Sequence, residues 1–156
     1  MRTPEILAPA GSPETLSAAL RAGADAVYLG GKLFSARSSA ANFDNDQLRE
    51  AARLCHMYGA KMYIAANTII SDGEADAFCE FIRFTSGIGV DGYIVQDPGC
   101  VYLIKKVCPD AVIHASTAIP NNSQPIKLAC SASSCGSSHF RSAGSASCGF
   151  CRCAAR

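Results

Sequence analysis

No stretch of the 156 residues approaches the roughly 18 consecutive apolar positions that a membrane-spanning helix needs. The amino terminus, MRTPEILAPAG, lacks the apolar core of a secretory leader, because Glu5 and two prolines interrupt it. Charge of one sign is missing too. Lys and Arg total 14 against 13 Asp and Glu, a net charge of +1, so no basic excess draws nucleic acid by charge alone. The expected setting is cytoplasmic, where thiols stay reduced.

Several motifs are also absent. The first turn, APAGSPET, lacks the G-x-G-x-x-G of a dinucleotide site. The GGK at residues 30–32 has no surrounding phosphate-loop pattern. No H-E-x-x-H, serine elbow or recognisable Ser or Cys triad occurs.

What is present is a repeating grammar. GADAVYLGG at 23–31, GAKMYIAAN at 59–67 and GVDGYIVQD at 89–97 share one order: Gly, a small or apolar residue, Asp or Lys, an apolar run, then polar residues. Residues at helical spacing precede each: Leu16, Ala19 and Leu20; then Leu48, Ala51, Ala52 and Cys55; then Phe78, Phe81 and Ile82. The glycine that follows each is a helix stop, since it adopts the left-handed conformation at no steric cost. Starts are marked by Ser12-Pro13-Glu14 and by Asp44-x-x-Gln47 and Ser71-x-x-Glu74, which read as capping boxes. Asp97-Pro98 opens a shorter helix through Lys105.

The apolar runs are continuous rather than alternating: ILA at 6–8, AVYL at 26–29, MYIA at 62–65, YIV at 93–95 and AVI at 111–113. Continuous runs suit strands buried on both faces, as in parallel sheets. The spacing therefore predicts an α/β fold of about five parallel strands and four helices. An open doubly wound sheet and an eight-unit barrel share that order. Short units with polar residues after every strand favour the barrel. Five strands cannot close it, so a partial TIM-like barrel is expected over residues 1–117. Its open edge is a site for self-association. The body cysteines Cys55, Cys79, Cys100 and Cys108 sit among apolar neighbours and read as small core residues.

After Thr117 the grammar stops. No Asp or Glu follows Asp110, and no Val, Ile or Leu follows Leu128. Residues 130–156 carry five of the nine cysteines among many Ser and Ala. A metal clip would use Cys148, Cys151 and Cys153 with Cys130, Cys135 or His139, but a second paired knuckle is missing. A disulfide framework has no argument for export behind it. The third alternative is expected: residues 118–156 form an irregular tail read out of register, and no metal is assigned to the chain.

The stretch PEILAPAGSPETLSAALRAGADAVYLGGKLFSARSSAANF at 4–43, with NTII, GYIVQDPG and VIHAST after it, resembles the collagenase-like peptidase family of unknown catalytic type, the thirty-second of the "U" families. The likeness covers about residues 4–117. It implies a TIM-barrel-like catalytic domain in a longer protein. Some members are labelled peptidases. Others resemble proteins that hydroxylate transfer or ribosomal RNA bases, or support ubiquinone-ring hydroxylation. Several of these hold an iron–sulfur cluster through cysteines beyond the HAST strand. No body cysteine here corresponds to them, so no cofactor is assigned to this chain.

In a barrel, chemistry sits at the carboxyl ends of the strands. That gathers Pro9 and Gly11, Gly30 and Gly31, Asn67 and Thr68, Gln96 and Asp97, and His114, Ser116 and Thr117 at one mouth. The segment at 30–42 exceeds the usual two to six residues between strand and helix, and adds Lys32, Phe34, Arg37 and Asn42. His114 is the candidate for proton transfer, or else a histidine bonded between barrel layers. Asp97 is its orienting partner or a base, or else a helix cap. Gly30, Gly31, Arg37, Asn42, Asn67, Gln96, Ser116 and Thr117 are substrate-binding candidates. The glycines first serve backbone geometry, and Arg37 grips a carboxylate or phosphate or is simply solvated. Ser116 and Thr117 lack the partnered base of a nucleophile. His56 reads as surface. The expected function is that of a piece of a family enzyme, a hydrolase by label, with a peptide or RNA substrate and RNA-base hydroxylation as the favoured chemistry. Alone, the chain is expected to be inactive.

Overall fold

Three of the four described helices begin where a side-chain oxygen meets an orphan backbone N–H. In the computed structural model, which describes residues 4–36 and 42–116, Ser12 caps α1 (Pro13–Arg21) and Asp44 caps α2 (Asn45–Met57). Both form reciprocal boxes, with Thr15 and Gln47 answering three residues on. Ser71 and Glu74 make the same box on a short 3-10 turn (Asp72–Glu74) that runs into α3 (Ala75–Gly87). Asp97 accepts from the Gly99 N–H at 2.8 Å and starts α4 (Pro98–Val107). Past the ends of α1, α2 and α3, Gly23, Gly59 and Gly89 take φ of +86°, +70° and +84°. A side chain there would strain the backbone, so each glycine turns the chain toward the sheet.

Five strands alternate with these helices: β1 (Leu7–Pro9), β2 (Ala26–Leu29), β3 (Lys61–Ala66), β4 (Gly92–Val95) and β5 (Ile113–Ala115). They lie in sequence order and pair in parallel throughout. The α/β expectation of five parallel strands and four helices is met.

Two boundaries differ from the sequence expectation. The fifth strand begins at Ile113 rather than Ala111. The Ala111 carbonyl is taken by Lys105 Nζ at 2.8 Å, and the ladder starts only where the Tyr93 N–H reaches the Val112 carbonyl at 2.9 Å. His114 therefore lies in the middle of the strand rather than at its end. Helix α4 runs two residues past Lys105, whose Nζ folds back onto the Pro109 and Ala111 carbonyls. Arg37, Thr117 and the cysteine-rich segment 118–156 lie outside the described residues. Among the described residues, no helix is long and apolar enough to cross a membrane.

Alternation along the strands gives the sheet two unlike faces. Val27, Leu29, Met62, Ile64, Ala66, Tyr93 and Val95 point toward the helices. They join Leu16, Leu20, Leu48, Phe78, Ile82, Cys100 and Ile104 in one buried cluster. Each large aliphatic or aromatic side chain buried there contributes about 1.5–3 kcal/mol. Leu7, Tyr28, Tyr63, Ala65, Ile94 and His114 occupy the opposite face. Cys55 and Cys100 are buried while Cys79 and Cys108 are half-buried.

Candidate functional site

The carboxyl ends of the strands open into one cavity of about 460 Å³. Its apolar wall is Leu7, Pro9, Tyr28, Ala65 and Ile94, and its rim carries Gly11, Gly30, Ser35, Asn42, Asn67 and Ser116. The predicted residues Gly30, Asn42, Asn67 and Ser116 are thus brought together. Gly31, Gln96, Asp97 and His114 lie outside this lining.

The connection from β2 to α2 shapes the rim. It leaves β2 at Gly30 and is pinched at its base, where the Phe43 N–H donates to the Gly30 carbonyl at 3.0 Å and the Lys32 N–H to the Phe43 carbonyl at 3.1 Å. Gly31 and Phe43 form an isolated parallel bridge there. Phe34 anchors the near limb with its ring edge-on to Phe78 at 5.1 Å between centroids. Gly30 and Gly31 are needed for close approach rather than for unusual φ. A methyl carbon at Gly30 would stand 2.8 Å from Ser35 Cβ, and one at Gly31 2.9 Å from the Phe81 ring. Asn67, at the end of β3, accepts the Ala36 N–H at 3.1 Å and ties this limb down.

The other side of the rim is the start of α1. The Gly11 and Ser12 N–H groups both donate to Thr15 Oγ1, at 3.0 and 2.9 Å. Helix α4 also begins nearby, but the Asp97 carboxylate is engaged by Gly99 as its cap. Of the three roles that the sequence left open for Asp97, the geometry holds the cap. Gln96 follows β4 half-buried.

His114 sits one register row into the sheet. It pairs with Ile94, which pairs with Ala65, and both of those line the cavity. It is 9% exposed, and its ring stands 4.8 Å from that of Tyr63, tilted by 67°. His56 is exposed as expected, with its Nε2 3.4 Å from Asp91 Oδ2.

No charged side chain lines the cavity among the described residues. A second hollow of about 440 Å³ differs in this respect, being lined by Lys32, Asp44 and Asp46 with Phe43 and Phe81. There the Gln47 N–H holds the Asp44 carboxyl below its usual range, assisted by Lys32 at 3.5 Å.

The described cysteines do not fit an iron–sulfur cluster. Burial pushes the Cys55 and Cys100 thiols up to about 11, away from the thiolate that ligation needs. Cys55 is on α2, Cys79 on α3 and Cys100 on α4. Among the described residues, no group of three His, Cys, Asp or Glu side chains stands close enough to hold a metal.

Sequence reasoning missed Tyr28, Tyr63 and Ser35. The grammar aligns Tyr63 with Tyr93, four residues after their glycines. In the sheet Tyr63 instead pairs with Tyr28 and Gly92. That one-residue offset sends Tyr93 to the helix side, where its hydroxyl meets Thr85 Oγ1 at 2.9 Å. Tyr28 and Tyr63 are each the third residue of their observed strands, a match that the apolar runs alone, with Tyr28 third and Tyr63 second, do not announce.

A family model described as "Peptidase family U32" matches residues 11–132. The chain is 35% identical over 116 residues to "tRNA hydroxylation protein P1" of Bacillus subtilis, covering 74% of this chain and 28% of that protein. It is 33% identical over 116 residues to a protein named "Collagenase" from Porphyromonas gingivalis, again 74% of this chain and 28% of the relative. A solved U32 peptidase superposes with a TM-score of 0.51 at 12% identity, over 72% of this chain and 47% of that one. That likeness concerns the fold.

Proposed function

Since the chain belongs to peptidase family U32, we propose that its strand-end cavity receives a neutral RNA base and that the parent activity is base hydroxylation in the cytoplasm. The observation that carries this is the lining, uncharged among the described residues. Nucleobases are planar, neutral at pH 7 and rich in amide-like donors and acceptors. The amides of Asn42 and Asn67 and the hydroxyls of Ser35 and Ser116 offer both kinds of partner. Tyr28 offers a ring on which a base can stack. The Asn67 oxygen already serves Ala36, so its nitrogen is the end turned to ligand chemistry. A cavity of about 460 Å³ suits one extruded base rather than an extended peptide.

Roles follow from position. Gly30 admits the loop beside the base, Asn42 and Ser116 read its edge, and His114, in the row of Ala65 and Ile94, moves a proton. Asp97 holds α4 in place as its cap. The "tRNA hydroxylation" name of one relative supports this chemistry. The chain spans 28% of that relative's length, so further β/α units complete the site. In this reading β1 and β5, the outer strands of the sheet, pair with those units, or with another copy when the chain is alone.

Mass spectrometry of RNA nucleosides from a strain lacking the parent gene tests the proposal. Loss of a hydroxylated base, restored by the intact gene, is expected. Unchanged RNA together with loss of gelatin hydrolysis overturns it in favour of a peptidase.

A further inference from the structure

Tyr63 and His114 do not belong to neighbouring strands. Tyr63 is on β3 and His114 on β5, with β4 between them. Strands in a sheet lie about 4.8 Å apart, so two strands out is about 9.6 Å. Yet the two ring centroids are 4.8 Å apart. The Tyr63 ring must therefore lie across β4.

It does so because the position opposite it has no side chain. Tyr63 pairs with Gly92. A methyl carbon on Gly92 would stand 3.2 and 3.3 Å from Tyr63 Cδ1 and Cε1, and 2.9 Å from the Val112 carbonyl oxygen. The ring fills the place that any other residue's Cβ would claim. It then meets the imidazole at 67°, within the edge-to-face family that aromatic pairs prefer. His114 is held in the row of Ile94 and Ala65, which line the cavity while His114 stands behind them.

We propose that Tyr63 is a positioning residue for His114, and that Gly92 is the gap through which it acts. This rests on the cavity being the site of base chemistry, and it assigns Tyr63 no contact with substrate. The tyrosine ring fixes the plane of the imidazole, while its hydroxyl is dispensable for that task.

Proton NMR of the 156-residue chain, with histidine ring labelling, tests it. In the native chain the His114 ring signals are displaced by the Tyr63 ring current. Tyr63→Phe keeps that displacement, and Tyr63→Leu abolishes it. Gly92→Ala abolishes it with both rings still present. Should Gly92→Ala fail to fold, the Phe and Leu pair decides alone. A displacement unchanged in Tyr63→Leu, or lost in Tyr63→Phe, overturns the proposal. Uridine separates this from the functional reading. If it leaves His114 unmoved in the native chain while Tyr63→Leu still shifts the signal, the positioning stands and the base reading falls.

Discussion

The two faces of the sheet are built from the same strands and by different rules. The helix-facing side is mostly aliphatic and buried at its centre, with Val27, Met62 and Ile64 at 0% exposure. The opposite side carries half-buried tyrosines, a glycine and a histidine, and leads up to a polar rim. One face supplies stability and the other supplies position. Residues adjacent in sequence, such as Tyr63 and Ile64, thus do unrelated work.

The largest effect that would break this contrast is in the core. Ile64→Ala should cost about 2–5 kcal/mol, because it removes methyl groups and leaves a cavity under the helices. Tyr28→Phe, on the other face, should change stability far less. Urea unfolding of both variants compares them, and equal losses would erase the distinction between the faces.

At the rim, Gly30→Ala should cost about 1–3 kcal/mol by overpacking against Ser35. Gly11→Ala is the control, since nothing lies within 4 Å of its added carbon. Thermal melts should separate the pair clearly, and limited proteolysis should cut the Gly30 variant faster in its β2–α2 connection.

A smaller effect divides the faces by pH. Burial raises the Cys55 and Cys100 thiols from 9.0 to about 11, with the Asp91 and Asp97 charges adding respectively to each. Their folded values lie above the unfolded ones. The stability they add is present below pH 9 and lost as pH rises from 9 to 11, where the unfolded chain sheds the protons first. The unfolding midpoint should fall across that window, and Cys55→Ala should flatten the slope. At the acid end the sign reverses. Asp44 and Glu74, held low chiefly by the Gln47 N–H and the Ser71 hydroxyl respectively, stabilise above their ordinary values. That contribution fades as pH falls below about 4.

Least of all should follow from Arg53→Ala. The Arg53 pair with Glu50, at 2.6 Å, is solvent-exposed on both sides. Such exposed pairs add little or nothing to stability, and melts in low and high salt should show almost no difference from the native chain.

The helix-facing side was legible in the sequence because its signals are local. Leu48, Ala51, Ala52 and Cys55 announce one face of α2 by spacing, and Asp44 with Gln47 announces its start. Gly23, Gly59 and Gly89 announce the stops. The mouth was legible as a region, since Gly30, Asn42, Asn67 and Ser116 all follow strands. The other face was not legible, because it depends on register between strands, which no short segment encodes. Tyr63 and Tyr93 occupy the same place in the grammar and opposite sides of the sheet. The tie from Asn67 to Ala36 was not legible either, because it spans 31 residues. The late start of β5 depends on Lys105, eight residues before Ile113, claiming a carbonyl that the strand would otherwise use.

The most direct test of the cavity's role is a titration of the isotope-labelled 156-residue chain with a short uridine-rich RNA, followed by amide and side-chain NMR shifts. The account predicts that Gly11 and Gly30 backbone signals move together with the Asn42 and Asn67 side-chain amides, while a collagen-derived peptide leaves them in place. Shifts produced by the peptide at those residues, with none from the RNA, would contradict it.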